Sequence, residues 1–180
     1  MIDSKLIEKA KQAVEIASNN KDLNFFCSSR DILQARIDSF ISNTKEYLAS
    51  AVIGEIGNNT FDHNWEYKEN HQRGAYFNPN FDDKFIVLAD FGRGLFSSLK
   101  KVADISTDLD AITVGFTKEI SGRAPEQRGN GLKFVLNTVK SKQWNLYYQS
   151  GNAYCSIENG IAKFDTANDC FTGCFAILEI

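Results

Sequence analysis

Ten residues, EIGNNTFDHN at positions 55 to 64, crowd a glutamate, three asparagines, an aspartate and a histidine behind an apolar run with helical spacing. Continued as a helix at 100° per residue, the stretch brings Glu55, Asn59 and Asp62 into a wedge about 60° wide, beside an apolar strip of Ala49, Ile53 and Ile56. A carboxylate at i and a carboxamide at i+4 offer a proton acceptor and an oxygen ligand to one small region. That pairing suits a magnesium-phosphate centre with an attacking hydroxyl or water. A solvated helix end that frays is the plainer use of the same residues.

Two further segments could join such a centre. ADFGRGL places Asp90-x-Gly92-x-Gly94 directly after an apolar run, where an aspartate can accept hydrogen bonds from an amino group and the glycines admit a ligand close to the backbone; a tight turn uses them equally well. In QRGNGL, Arg128, Gly129, Asn130 and Gly131 precede Leu132 and a helical pattern. The free N–H groups and dipole of a helix opening there would favour an anion.

The elements that must carry these residues can be read along the chain. Residues 3 to 18 space Leu6, Ala10, Val14 and Ala17 on one helical face, and the polar break SNNKD leads to LNFFC, a short strand. Ser28, Ser29 and Asp31 can cap a longer pattern through Leu33, Ile37, Phe40, Ile41, Tyr47, Leu48, Val52 and Ile56, divided near SNTK. Residues 64 to 83, rich in Asn, Asp, Gly and Pro, read as a connection, followed by the strand KFIVLADF. LFSSLKKVA predicts a short helix, the segment from STDLD to QRGNG a long polar stretch, and LKFVLNTVKSK a further helix. WNLYYQS, AYCSI, IAKF and FTGCFAILEI predict an antiparallel meander, with Asn159-Gly160 its strongest hairpin signal. The last run is apolar at both parities, which predicts cover on both faces. Together these give an α/β fold, a two-layer α/β sandwich with a mixed, mostly antiparallel sheet packed on helices.

At 180 residues, one domain closing around one core is expected, with residues 1 to 44 as its N-terminal helical extension. A net charge of −3 lacks the basic excess of a phosphate-backbone reader, so nucleic acid is not an expected partner. No apolar window is long enough to cross a bilayer, and the charged, amphipathic N-terminus lacks a signal peptide's apolar region. A cytoplasmic protein without membrane contact is expected. Cys27, Cys155, Cys170 and Cys174 form no C-x-x-C pair, and His63 and His71 are the only histidines, so reduced, packed cysteines are expected rather than a zinc site.

The order of the motifs resembles the GHKL superfamily: E-x-x-x-N on a helix, strand-D-x-G-x-G, a polar stretch, then G-x-G-L opening a helix. That superfamily groups the ATP-binding domains of gyrase, large heat-shock ATPase chaperones, histidine kinases and MutL proteins on the Bergerat fold. The resemblance covers roughly residues 45 to 180. LASAVIGEIGNNTFDHN looks like the N box, especially that of the anti-sigma-factor serine kinases; FIVLADFGRGL looks like the first glycine box, GFTKE like part of the lid and RGNGLKFV like the second glycine box. The resemblance implies a histidine-kinase-like ATP-binding domain with ATP and magnesium as ligands, Glu55 as general base, Asn59 as magnesium ligand and Asp90 as acceptor for the adenine amino group. Gly92 and Gly94 would shape the pocket, Gly129, Asn130, Gly131 and Leu132 would lie at the phosphates, and Lys118 and Arg128 would add charge from the lid.

Two departures matter. The last strand carries Gly173-Cys174 where the family often has Gly-Thr, and residues 1 to 50 hold no histidine, which argues against an orthodox histidine kinase. The implied activity is ATP hydrolysis or phosphoryl transfer to a protein partner, of serine/threonine type; the alternative is a non-catalytic ATP-dependent switch that binds a regulatory protein. A homodimer is compatible with either.

Overall fold

The computed structural model describes residues 2–20, 22–64, 74–82, 84–119 and 130–180, with the backbone alone for 62–64. Helix α1, Ser4–Asn19, begins where the Asp3 side chain accepts the backbone N–H of Lys5. Helix α2, Arg30–Thr44, begins where Ser29 accepts that of Ile32. Each cap satisfies one of the donors a helix leaves open at its start. Lys45 turns left-handed at φ 61° and closes α2, and α3 restarts at Tyr47–Asn64, so the division falls where SNTK predicted it. Along α3, Ala49, Val52, Ile53 and Ile56 are buried at three- and four-residue spacing, the apolar strip expected beside Glu55.

Five strands form one sheet in the order β1-β2-β3-β5-β4. They are β1 Phe26–Cys27, β2 Ala75–Phe81, β3 Phe85–Asp90, β4 Asn145–Glu158 and β5 Ile161–Glu179. All four pairings are antiparallel, so the parallel component of the expected mixed sheet is absent among the described residues. β4 and β5 form one long hairpin rather than a four-strand meander. Asn159 and Gly160 turn it with φ 50° and 74°, the paired positive values of a type I′ turn. The Gly151-Asn152 pair between WNLYYQS and AYCSI lies at an irregularity inside β4, and Thr166–Asp169, between IAKF and FTGCFAILEI, continue β5.

Alternation along the central strands divides the core. Ile86 and Leu88 of β3, Ala176 and Leu178 of β5, and Leu146 and Tyr148 of β4 join one cluster with α2, α3, α4 (Gly94–Leu99), α5 (Asp108–Thr117) and α6 (Gly131–Lys142). Val87, Ala89, Phe175 and Ile177 join the other with Ala10, Val14 and Ala17 of α1. The molecule is thus a two-layer α/β sandwich with α1 added on the far face, which explains a last strand apolar at both parities. Lys11 fastens α1 there, its Nζ bonding Gln149 Oε1 at 2.5 Å and Asp169 Oδ2 at 2.8 Å. Residues 1–44 are built into both layers: β1 pairs with β2 at the sheet edge, and α2 packs on α3.

Two expectations need correction. The connection read over 64–83 contains β2, with Pro79 lying where the β2–β3 register shifts between Asn78 and Phe81; a bulge tolerates a residue without a ladder N–H. The long polar stretch contains α5, started by a capping box in which Thr107 and Asp110 exchange side-chain-to-backbone bonds. The GFTKE segment is therefore mostly helix, and Phe116 is fully buried against Tyr148.

Candidate functional site

Asp90 ends β3 at the point where the sheet meets α3, and it is buried. Its Oδ1 accepts the backbone N–H of Gly92 at 2.8 Å, and its Oδ2 accepts the Thr60 hydroxyl of α3 at 3.2 Å. Two donors from different elements therefore hold one buried carboxylate. Cys174 is the register partner of Asp90 on β5. Desolvation first, and the Asp90 charge second, push the Cys174 thiol up to about 12. Tyr148, buried beside it, is likewise held well above its ordinary 10.0, chiefly by desolvation. Neither is an acid at neutral pH.

Ser150 on β4 fixes the loop that follows Asp90. Its buried hydroxyl accepts the N–H of Leu95 at 2.9 Å and donates to the carbonyl of Gly173 at 2.9 Å. The loop containing Gly92 and Gly94 is thereby tied to both strands of the hairpin. A β-carbon on Gly94 would fall 2.8 Å from Ser150 Oγ, so the tie requires the glycine.

Glu55 meets the third motif. A β-carbon on Gly131, the first residue of α6, would fall 2.5 Å from Glu55 Oε2, so the carboxylate lies against the N-terminus of that helix. Glu55 is exposed and Asn59 half-buried one turn further along α3. Asn130 caps α6 without a side-chain cap bond and is exposed. The Leu132 side chain is buried in the core, so only its backbone is available at the helix start. Lys118 ends α5 on the surface, and no contact among the described residues ties it to Glu55 or Asp90. Arg128, Gly129 and His71 lie outside the described residues, as do the side chains of Asp62 and His63.

Among the described residues, two hollows border α3. One of about 10 Å³, the size of a single water, is lined by Thr60, Asp90 and Cys174 with apolar neighbours. The other, about 330 Å³, lies between α2 and α3 and is lined by Ile37, Ile41, Tyr47, Gly54, Glu55 and Asn58 among others. Neither is lined by both Glu55 and Asp90; the two carboxylates are related through α3, which touches the end of β3 with Thr60 and the start of α6 with Glu55.

Thr60 and Ser150 were absent from the sequence reading. Thr60 had a signal, a polar residue four positions after Ile56 and seven after Ile53 on an otherwise apolar strip. Ser150 had none, because its partners come from α4 and β5.

Comparison of the chain with protein-family models, with curated proteins and with solved structures gives no match. No helix of the described residues is long and apolar enough to cross a membrane, and they contain no cluster of three metal-ligating side chains.

Proposed function

We propose that this chain is an ATP-binding domain of GHKL type that moves the γ-phosphoryl group of ATP to water or to a hydroxyl of a protein partner. The observation that carries the reading is the reach of α3: one helix contacts the strand-end aspartate through Thr60 and the glycine-opened helix through Glu55. A nucleotide needs a base reader and a phosphate reader joined by a rigid part, and α3 is that part.

In this reading Asp90 accepts a hydrogen bond from the adenine 6-amino group. A guanine carbonyl at the same place would set acceptor against acceptor and be rejected. The first N–H groups of α6 and its dipole hold phosphate oxygens. Glu55 takes the proton of the attacking hydroxyl as its oxygen bonds to the γ-phosphorus; the bond to the β,γ-bridging oxygen breaks, and ADP leaves. The carboxamide oxygen of Asn59, half-buried on the same side of α3 as Glu55, suits magnesium, which takes oxygen ligands and keeps much of its water. When bound, magnesium would neutralise phosphate charge.

Glu55→Gln tests the assignment, since it keeps the shape beside Gly131 and removes the base. ADP release under saturating ATP should fall on the order of 10²- to 10⁴-fold, while ATP affinity by calorimetry stays at the wild-type value. Loss of ATP binding instead would make Glu55 structural. Wild-type protein that binds ATP but releases no ADP, with or without cell extract, would leave an ATP-dependent switch in place of the enzyme.

A further inference from the structure

Thr60 lies on the buried side of α3, yet its hydroxyl leaves the helix. Elsewhere in this molecule Thr44, Ser50 and Thr117 bond the carbonyl four residues earlier, the local partner that a helical hydroxyl ordinarily takes. Thr60 instead crosses to Asp90 Oδ2, thirty positions away in sequence, with both residues buried.

On the strand beside Asp90, the residue opposite carries a thiol rather than a hydroxyl. Cys174 is the register partner, but its thiol turns toward Ser150, at 3.7 Å from Oγ, and toward Tyr148, and a thiol is a weak donor. The hydroxyl beside the strand-end carboxylate therefore comes from the helix. With Gly92 N–H on Oδ1 from the loop and Thr60 on Oδ2 from α3, the carboxylate plane is held from two sides.

We infer that Thr60 is a specificity-determining positioning residue: by orienting the Asp90 carboxylate, its hydroxyl sets the preference for a 6-amino over a 6-oxo purine. The inference rests on the adenine-nucleotide reading above. It also places the control of base recognition one residue from Asn59, on the helix that carries Glu55.

The test is calorimetric affinity for ATP, for GTP and for magnesium tripolyphosphate, in wild type, Thr60→Ser, Thr60→Val and Thr60→Ala. Thr60→Val removes the hydroxyl at nearly constant shape, and Thr60→Ala supplies the same measurement if the valine variant fails to fold. Loss of the hydroxyl should weaken ATP binding about 10- to 100-fold, the usual effect of one hydrogen bond to a buried charge. It should lower the ATP-to-GTP ratio by a similar factor and leave tripolyphosphate unchanged, and Thr60→Ser should restore the ratio. An unchanged ratio in the hydroxyl-free variants overturns the inference, as does an equal loss of all three ligands, which marks a structural role. Wild-type protein that binds no ATP overturns the nucleotide reading and the inference together, so the two failures are distinguishable.

Discussion

Gly173 lies tight against the backbone of Asp90. Its φ is 92°, and a β-carbon there would fall 2.1 Å from the Asp90 carbonyl oxygen and 2.8 Å from the Gly92 nitrogen. Backbone atoms cannot swing aside as a side-chain tip can. Gly173→Ala is therefore expected to cost about 3 kcal/mol in urea unfolding, from positive-φ strain and overpacking together. Cys155 makes a second residue-scale prediction. Burial pushes its thiol from 9.0 up to about 12, so the native state keeps a proton that the unfolded chain loses. The contribution is intact below pH 9.0 and is lost progressively as pH rises towards about 12, at about 1.4 kcal/mol per pH unit. Urea midpoints measured across this range should fall less steeply for Cys155→Ala than for wild type.

At the scale of elements, α5 shows what local chemistry can specify. Thr107 accepts the Asp110 N–H at 3.0 Å while the Asp110 carboxylate accepts the Thr107 N–H at 2.9 Å. Thr107→Ala should cost about 1 kcal/mol, read as a lowered thermal midpoint. The same box was present in the sequence as T-x-x-D before Ala111, Ile112 and Phe116, yet the surrounding glycines and charges made the segment read as loop. β2 was hidden for another reason. Asn78, Pro79 and Asn80 carry turn chemistry, and only pairing with β3 makes that sequence a strand with a bulge. Helices α1, α2, α3 and α6 and strand β3 were legible because their apolar spacing or continuity reports burial directly. The residue types around Glu55, Asp90 and Gly131 stand at defined spacing in the sequence, and the fold sets Glu55 against Gly131 and Thr60 against Asp90. What could not be read was partnership: Thr60 with Asp90, or Ser150 with Leu95 and Gly173, depends on where distant segments meet.

For the molecule as a whole, the far face of the sheet is the least expected feature. α1 covers Tyr76, Val87, Phe175 and Ile177, and Lys11 ties it to Gln149, which is fully buried. The Gln149 amide also donates to the carbonyls of Gly151 at 3.1 Å and Asp169 at 3.0 Å, so the helix is joined to the hairpin at its irregular point. Lys11→Met keeps most of the packing but withdraws the charged donor from Gln149 and Asp169; a loss of about 2 kcal/mol in urea unfolding is expected. The arrangement also sets an order of events during synthesis. α1 leaves the ribosome well before Phe171, Phe175 and Ile177, which it packs against. Until they emerge, the greasy side of α1 has only the part of its cover that Tyr76, Val87 and their neighbours provide.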